Sequence, residues 1–195
     1  MYCKKYSQEE VERVFLVLEY APRGELSEFV WNCGLFPEPI ARYFYKQLIE
    51  ALGHLYSNGM VHRDIKPENW LISEDYTLKI ADFGFSVGLK GRDGTGMLTT
   101  PRGTECYKAP EILANEPYSG VAADLFASAI IAFTMITAVS PFRCATGSDI
   151  FYKHIINEKW NIFWRLHRHS DVSEEFKDFV QNIFCHDPND RLKIE

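Results

Sequence analysis

The sequence predicts a mainly helical α+β domain carrying a small β element, and three stretches make that prediction. Between Pro39 and Asn58 the apolar residues Ile40, Phe44, Leu48, Leu52, Leu55 and Tyr56 recur at intervals of three and four, one face of an amphipathic helix. From Leu125 to Phe142 eighteen residues pass without a charge, which reaches the length of a membrane span. Ser128, Thr134, Thr137, Ser140 and Pro141 interrupt that stretch, and Asp124 and Arg143 flank it, so it reads as a helix buried in a core. Trp70–Ile72 and Thr77–Ala81 are short apolar-rich runs around Ser73-Glu-Asp-Tyr76, the pattern of a β-hairpin.

The remaining elements follow along the chain. Phe15-Leu-Val-Leu-Glu-Tyr20 reads as a buried strand that Ala21-Pro-Arg-Gly24 breaks. A short helix is expected over Glu25 to Trp31, closed by Asn32 to Gly34. Pro39 suits the first turn of the long helix and Asn58-Gly59 its end. Glycines at 88, 91, 94, 96 and 103 mark a mobile segment. Helices are expected around Val121 to Ala138, with Asp124 as a helix-start residue, and from Asp149 to Asn157. A last helix begins at Ser173, carries Glu174 and Glu175 in its first turn, and presents Phe176, Phe179, Val180, Ile183 and Phe184 on one face.

A chain of 195 residues is long enough for one domain with a core, and no linker or repeat divides it. Its 21 Lys and Arg against 27 Asp and Glu give a net charge of −6, with no basic block for phosphates or an anionic membrane. Nucleic-acid and membrane partners are therefore not expected. Cys3, Cys33, Cys106, Cys144 and Cys185 are odd in number and unpaired in spacing, which reads as reduced thiols in a cytoplasmic protein. The polar N-terminus lacks the apolar core of a secretory signal. His167, His169, Cys185 and His186 match no common zinc spacing and read as surface histidines beside a core cysteine.

The chemistry concentrates in His62-Arg-Asp-Ile-Lys-Pro-Glu-Asn69 and Asp82-Phe-Gly84. Asp64, Asn69 and Asp82 offer oxygen donors only, which suits a hard cation such as magnesium. Asn69 precedes the hairpin and Asp82 follows it, so a formed hairpin brings together two residues that are 13 positions apart. Lys66 adds a positive point charge fitted to a phosphate. Metal donors, a phosphate-sized cation and a spare carboxylate together describe phosphoryl transfer, which depends on positioning and charge stabilisation.

On these residues the sequence resembles the eukaryotic protein kinases. His62–Asn69 is similar to their catalytic loop, Asp82-Phe-Gly84 to their magnesium motif, and Ala109-Pro-Glu111 to the end of their activation segment. Gly103-Thr-Glu-Cys-Tyr-Lys-Ala-Pro-Glu111 is similar to the stretch that docks substrate, and Asp124 and Arg191 fall at two structural anchors. The resemblance implies a kinase-like C-terminal lobe with a hairpin and a hinge strand. It also implies ATP and Mg2+ as cofactors and protein serine or threonine as substrate, Lys66 marking the serine/threonine class. Asp64 would accept or orient the substrate hydroxyl proton, Lys66 would steady the γ-phosphate, and Thr104 would buttress both. Asn69 and Asp82 would hold magnesium. Leu18, Glu19 and Ala21 would meet adenine at the hinge, Leu71 would lie beneath the ring, and Glu25 would reach ribose. His62 and Phe83 would pack, and Arg191 would pair with Glu111. Thr100 matches an activation-loop phosphorylation site with Arg63 as its charge partner. Glu68 would stand among the nucleotide-contacting residues and, with Glu25, would favour basic residues near the target serine.

The resemblance extends from about Phe15 to Arg191, and residues 1–195 read as a single truncated kinase domain. Residues 1–20 correspond to the last small-lobe strands and hinge, and 21–195 to the large lobe. Only 14 residues precede Phe15, whereas the family's small lobe needs about 60. No Gly-x-Gly-x-x-Gly lid, Val-Ala-Ile-Lys strand or partner glutamate occurs, so little turnover is expected from these residues alone. The rival reading is a non-catalytic kinase-like binding module, against which the intact Asp64, Asn69 and Asp82 argue. Phe126 and Ala129 stand where the family carries tryptophan and glycine, and Trp70 is bulkier than the usual aliphatic residue. These departures bear on packing more than on chemistry.

Overall fold

A computed structural model describes residues 2–8, 11–91, 93–167 and 172–194. The chain opens with an antiparallel hairpin, β1 (Tyr2–Gln8) and β2 (Val11–Val17), in which Tyr2 faces Val17 and Gln8 faces Val11. The strand expected at Phe15–Tyr20 thus exists only as far as Val17, and it is not buried: Leu16, Val17 and Leu18 are 55%, 65% and 67% exposed. Among the described residues β2 pairs only with β1, and no further strand joins this hairpin.

Next come α1 (Leu26–Cys33), closed by Gly34 at φ 69°, and α2 (Glu38–Ser57), with Pro39 in its first turn. The inward stripe of α2 is Ala41, Phe44, Leu48, Leu52 and Leu55. Ile40, expected on that face, is exposed, because it lies about 100° around the helix from Ala41.

After β3 (Met60–Val61) comes the expected hairpin of β4 (Trp70–Ile72) and β5 (Leu78–Ile80), with Trp70 opposite Ile80 and Ile72 opposite Leu78. Gln47 of α2 fixes it from below, its Oε1 accepting the Leu78 N–H at 2.9 Å.

The glycine-rich segment read as mobile carries paired backbone. β6 (Val87–Gly88) pairs with β3, and β7 (Met97–Leu98) pairs with β8 (Tyr118–Ser119), which follows the short α3 (Pro110–Leu113). The glycines there serve tight turns between pairings, as at Gly91, Gly94 and Gly96 with φ of 67°, 78° and 78°.

α4 (Gly120–Thr137) is the central helix. It is long and apolar enough to cross a membrane, yet 83% of it is buried inside the domain. Ser119 caps it by accepting the Ala122 N–H, so Asp124 lies a turn inside the helix and is not its start residue. Gly120 permits a close crossing, since a Cβ there would stand 2.6 Å from Val61 Cγ2.

The helix expected from Asp149 is the shorter α5 (Tyr152–Ile156), because the Asp149 carboxylate accepts the N–H groups of Phe151 and Tyr152, both at 2.8 Å. α6 (Trp160–His167) was not expected, and α7 (Glu174–Ile183) follows Ser173, whose hydroxyl caps it through Phe176 N–H. An aromatic core joins these helices to α4. Phe126 lies 5.3 Å from Phe184 and 5.9 Å from Phe142 between ring centroids, so the phenyl ring is absorbed where a tryptophan was expected.

Candidate active site

The turn from β3 into His62–Asn69 is held from beneath by α4. The Asp124 carboxylate accepts the backbone N–H of His62 on Oδ2 and of Arg63 on Oδ1, both at 2.8 Å. This braces a strained turn, for Arg63 has φ 70°. Burial pushes the Asp124 carboxyl up to about 7, against the pull of the two backbone donors and the Arg63 charge. Gly103 closes over the same turn at φ 90°, where a Cβ would stand 2.4 Å from the Arg63 carbonyl oxygen.

That turn delivers Asp64 into a set of fixed donors. Its Oδ1 accepts the Thr104 N–H and hydroxyl, both at 2.9 Å, and its Oδ2 pairs with Lys66 Nζ at 3.1 Å. Lys66 also donates to Thr104 Oγ1 at 3.3 Å, so one hydroxyl buttresses both charged groups. Burial raises the Asp64 carboxyl, but Lys66 and Thr104 outweigh it and hold the group below the ordinary carboxylate range. Lys66 is correspondingly raised: burial opposes its charge, and the Asp64 carboxylate more than compensates.

Asn69 joins this group by donating its side-chain amide to the Asp64 carbonyl at 2.8 Å and to Oδ2 at 3.3 Å. With the NH2 so engaged, its amide oxygen is the end left to meet a cation. The Ala81 N–H donates to the Asn69 carbonyl at 2.9 Å, so the hairpin closes and Asp82 emerges beside it. Asp82 has φ 57°, and its Oδ1 accepts the Gly84 N–H at 3.2 Å, which leaves Oδ2. Two oxygen donors fit a magnesium ion that keeps phosphate and water among its ligands. His62 braces the junction through Nε2 to the Ala81 carbonyl at 2.9 Å and packs edge-on against Phe83 at 5.3 Å. Burial pushes the His62 ring below its ordinary value, consistent with a neutral imidazole whose Nδ1 accepts the Asp64 N–H at 3.3 Å.

Next to Asp82 lies a cleft of about 720 Å³, lined by Leu16, Leu18, Glu19, Ala21, Leu71 and Asp82 among others. Five of the residues expected to meet nucleotide therefore share one cavity wall. Glu25, Lys66, Glu68 and Asn69 do not line it. Glu25 is held in a backbone bridge to Leu71, with its carboxylate accepting Ser27 Oγ at 2.7 Å. The Glu68 charge acts instead on Lys66, Cys106 and Tyr107. The Glu19 side chain reaches Lys79 Nζ at 3.0 Å, tying the hinge segment to β5.

Arg63 and Thr100 line a second cavity, of about 400 Å³, with Thr99, Asp93 and Arg102. Sequence reasoning passed over Arg102, although a basic residue two positions after Thr100 was a usable signal. Arg63 Nε donates to the Phe85 carbonyl at 2.7 Å, and the Thr100 carbonyl accepts the Tyr118 hydroxyl at 2.9 Å. At the far end of the segment, Arg191 meets Glu111 through a bidentate pair, both bonds 2.7 Å, with side chains 1% and 4% exposed. Of the residues weighed for zinc, His167 is buried with its ring nitrogens 2.9 and 3.0 Å from the Phe163 and Pro141 carbonyls, so it is not a surface histidine. His169 lies outside the described residues.

A helical lobe that presents a braced carboxylate, a paired lysine and two oxygen donors beside an apolar cleft defines a phosphoryl-transfer architecture. The comparison with known families agrees: the protein kinase domain matches residues 3–195, and the chain belongs to the protein kinase family. It is 35% identical over 182 residues to CBL-interacting protein kinase 26 of Oryza sativa subsp. japonica, covering 93% of this chain and 35% of that protein. It is 34% identical over 190 residues to CBL-interacting serine/threonine-protein kinase 16 of Arabidopsis thaliana, covering 94% and 39%. Serine/threonine-protein kinase GIN4 of Saccharomyces cerevisiae is 34% identical over 181 residues, covering 92% and 15%. The chain thus spans well under half the length of these relatives.

Proposed function

We propose that this chain forms the catalytic lobe of a serine/threonine protein kinase, which moves the terminal phosphoryl group of ATP to a hydroxyl of a protein substrate. One observation carries the reading. The Asp64 carboxylate is buried, stays ionised, and is fixed by Thr104, Lys66 and Asn69. A carboxylate so oriented accepts or aligns the proton of an entering hydroxyl. Lys66 carries the positive charge that meets the transferred phosphate, and Thr104 keeps both groups in register. Asn69 and Asp82 are the residues to hold magnesium, which when bound neutralises phosphate charge. Leu18, Ala21 and Leu71 supply apolar walls for adenine, Glu19 offers hinge backbone, and Glu25 stands beside Leu71 toward ribose.

Three finer assignments accompany this reading. Thr100 is the activation-segment phosphorylation site, with Arg63 and Arg102 in the same cavity as its charge partners. Glu68 and Glu25 favour basic residues near the target serine or threonine. These 195 residues contain no glycine-rich lid, strand lysine or helix glutamate, so the chain by itself binds Mg2+–nucleotide but turns over little.

The test combines binding and labelling. Calorimetry with ADP and Mg2+ is expected to show binding that Asp82→Asn weakens at least tenfold. Labelled ATP, Mg2+ and a basic serine peptide are expected to give only trace transfer. Equal Mg2+-dependent affinity in wild type and Asp82→Asn overturns the site assignment. Strong transfer that Asp64→Asn abolishes overturns the low-turnover statement while supporting the chemistry.

A further inference from the structure

Helices α2 and α7 both pack on α4 and leave a groove between them. It runs along the first half of α2, at the other end of that helix from the turn into His62. Its floor is Ala41, Ala132 and Phe176, all buried, and its volume is about 230 Å³. Two of these floor residues are alanines, whose side chains stop at the methyl and leave space that a longer one would fill. Two contacts tie α2 to α7 at the ends of the groove. Ser173 Oγ donates to Glu38 Oε1 at 2.8 Å, and the Tyr45 and Phe179 rings meet edge-on at 5.3 Å. Tyr45 spends its hydroxyl on Ser128 at 3.2 Å, so it offers the groove its ring. Glu38 and Tyr45 stand seven residues apart on one helix, about 10 Å. An apolar cavity of about 150 Å³ already admits benzene, so this larger one has room for an unbranched chain of about eight carbons.

The charged groups stand at the rim, and their charges are unequal. Glu38, Arg42 and Glu175 set two carboxylates against one guanidinium. Arg42 Nη2 already pairs with Glu38 Oε1 at 2.9 Å, and the Ser173 hydroxyl shares that same oxygen. Glu38 Oε2 takes neither bond, and Glu175 has no ion-pair partner among the described residues. Burial works against the Glu38 charge, but Ser173 and Arg42 outweigh it and hold the carboxyl below its ordinary value.

We propose that this groove binds a cationic amphiphile with a single alkyl chain, the chemistry of a lipid amine. The chain lies over Ala41 and Ala132 beside Ile136 and Phe179, and the ammonium meets Glu38 Oε2 and Glu175. Apolar burial supplies the affinity, since each methylene taken out of water is worth about fourfold. The rim supplies the choice of head group. A fatty acid would bring a third carboxylate to a rim with one cation, and that cation is already paired. None of these groups belongs to the phosphoryl-transfer site, so the proposal stands apart from the kinase reading.

The test uses the whole chain with its alanine methyl groups labelled with carbon-13. It is titrated by NMR at pH 7 with octylamine, octan-1-ol and octanoate, each below its aggregation concentration. Octylamine is expected to shift the Ala41 and Ala132 methyls saturably, with an affinity about tenfold above that of octanoate and with octanol between them. Hexylamine is expected to bind about fifteenfold more weakly than octylamine, the loss of two methylenes. Glu175→Gln changes an exposed side chain and should weaken octylamine about threefold while leaving octanol unchanged. Ala132→Leu fills the groove and should abolish binding of all three; if that variant does not fold, the chain-length and Glu175→Gln arms decide. Octanoate binding as tightly as octylamine, no loss on shortening the chain, or shifts spread over alanines away from the groove overturns the proposal. So do methyl shifts that follow protein concentration without ligand, since they seat a second copy of the chain there instead.

Discussion

Replacing Arg191 by methionine tests whether the end of the activation segment is held by charge or by packing. The guanidinium makes two 2.7 Å bonds to Glu111, donates to the Cys185 carbonyl at 2.8 Å and the His186 carbonyl at 3.0 Å, and lies 4.8 Å from the Phe126 ring centroid. Removing one partner of a buried pair costs about 3–5 kcal/mol, because the other charge is left unpaired. The lost carbonyl bonds add about 1 kcal/mol each, and methionine returns part of this by packing on Phe126. The expected loss is about 5 kcal/mol, a large share of the roughly 5–15 kcal/mol that holds a domain together. Urea unfolding of wild type, Arg191→Met, Glu111→Leu and the double variant closes a thermodynamic cycle. With both charges gone the unpaired-charge cost vanishes, so a coupling energy of about 3 kcal/mol is expected. A coupling below about 0.5 kcal/mol would refute the reasoning, since it would mean that the two side chains act as independent packing units.

Gly103→Ala is expected to cost about 2–4 kcal/mol by thermal unfolding, because a Cβ 2.4 Å from the Arg63 carbonyl forces the loop open. An unchanged melting temperature would contradict that contact. Ser119→Ala removes the cap of α4 and should cost about 1 kcal/mol in urea, with an unchanged denaturant slope. Thr104→Val keeps the shape but removes the hydroxyl donor to Asp64 and should cost about 1–2 kcal/mol. The Asp64 carboxyl is lowered in the fold, so its contribution is full above the ordinary carboxylate range and disappears as pH falls through the lowered value. Thr104→Val lessens that lowering, so its stability should fall less than that of wild type on acidification, as measured by unfolding at pH 7 and pH 3.

What the sequence made legible follows from periodicity and closure. The α2 stripe declared itself because a long helix repeats its pattern often enough to be read. Asn69 and Asp82 were placed together because a hairpin has only one way to close. α6 went unread although Trp160, Phe163, Trp164 and His167 keep helical spacing, since eight residues offer barely two turns of pattern. Burial of the Phe15–Tyr20 run was misjudged for a different reason. Apolar composition states what a strand favours, and not whether a second layer is present to cover it. Asp124 read as a helix-start residue from its place ahead of an apolar run and as an anchor by resemblance, and the fold supplies what it holds, two amides 61 and 62 residues away. Glu25 and Glu68 were grouped with the nucleotide-contacting residues by resemblance, yet neither lines the cleft.

The placement of these ties explains how a site made of loops keeps its geometry. Asp64 sits on no helix or strand, and Thr104 is 40 residues away on another loop. Each loop is instead fastened by a buried polar group: the His62–Arg63 turn to α4 through Asp124, and the docking stretch to the chain after α7 through Glu111 and Arg191. Apolar packing alone gives no such registration, because it is nearly indifferent to shifts of a fraction of an ångström along a surface. Hydrogen bonds to a buried carboxylate are not. One fastening holds a strained backbone, at Arg63, and Gly103 approaches that same turn too closely to admit a side chain. Loosening either fastening should therefore disturb the Asp64–Thr104 contact before it unfolds the helices. Local hydrogen exchange at Thr104 N–H, compared with global unfolding in the Arg191 and Gly103 variants, separates the two events.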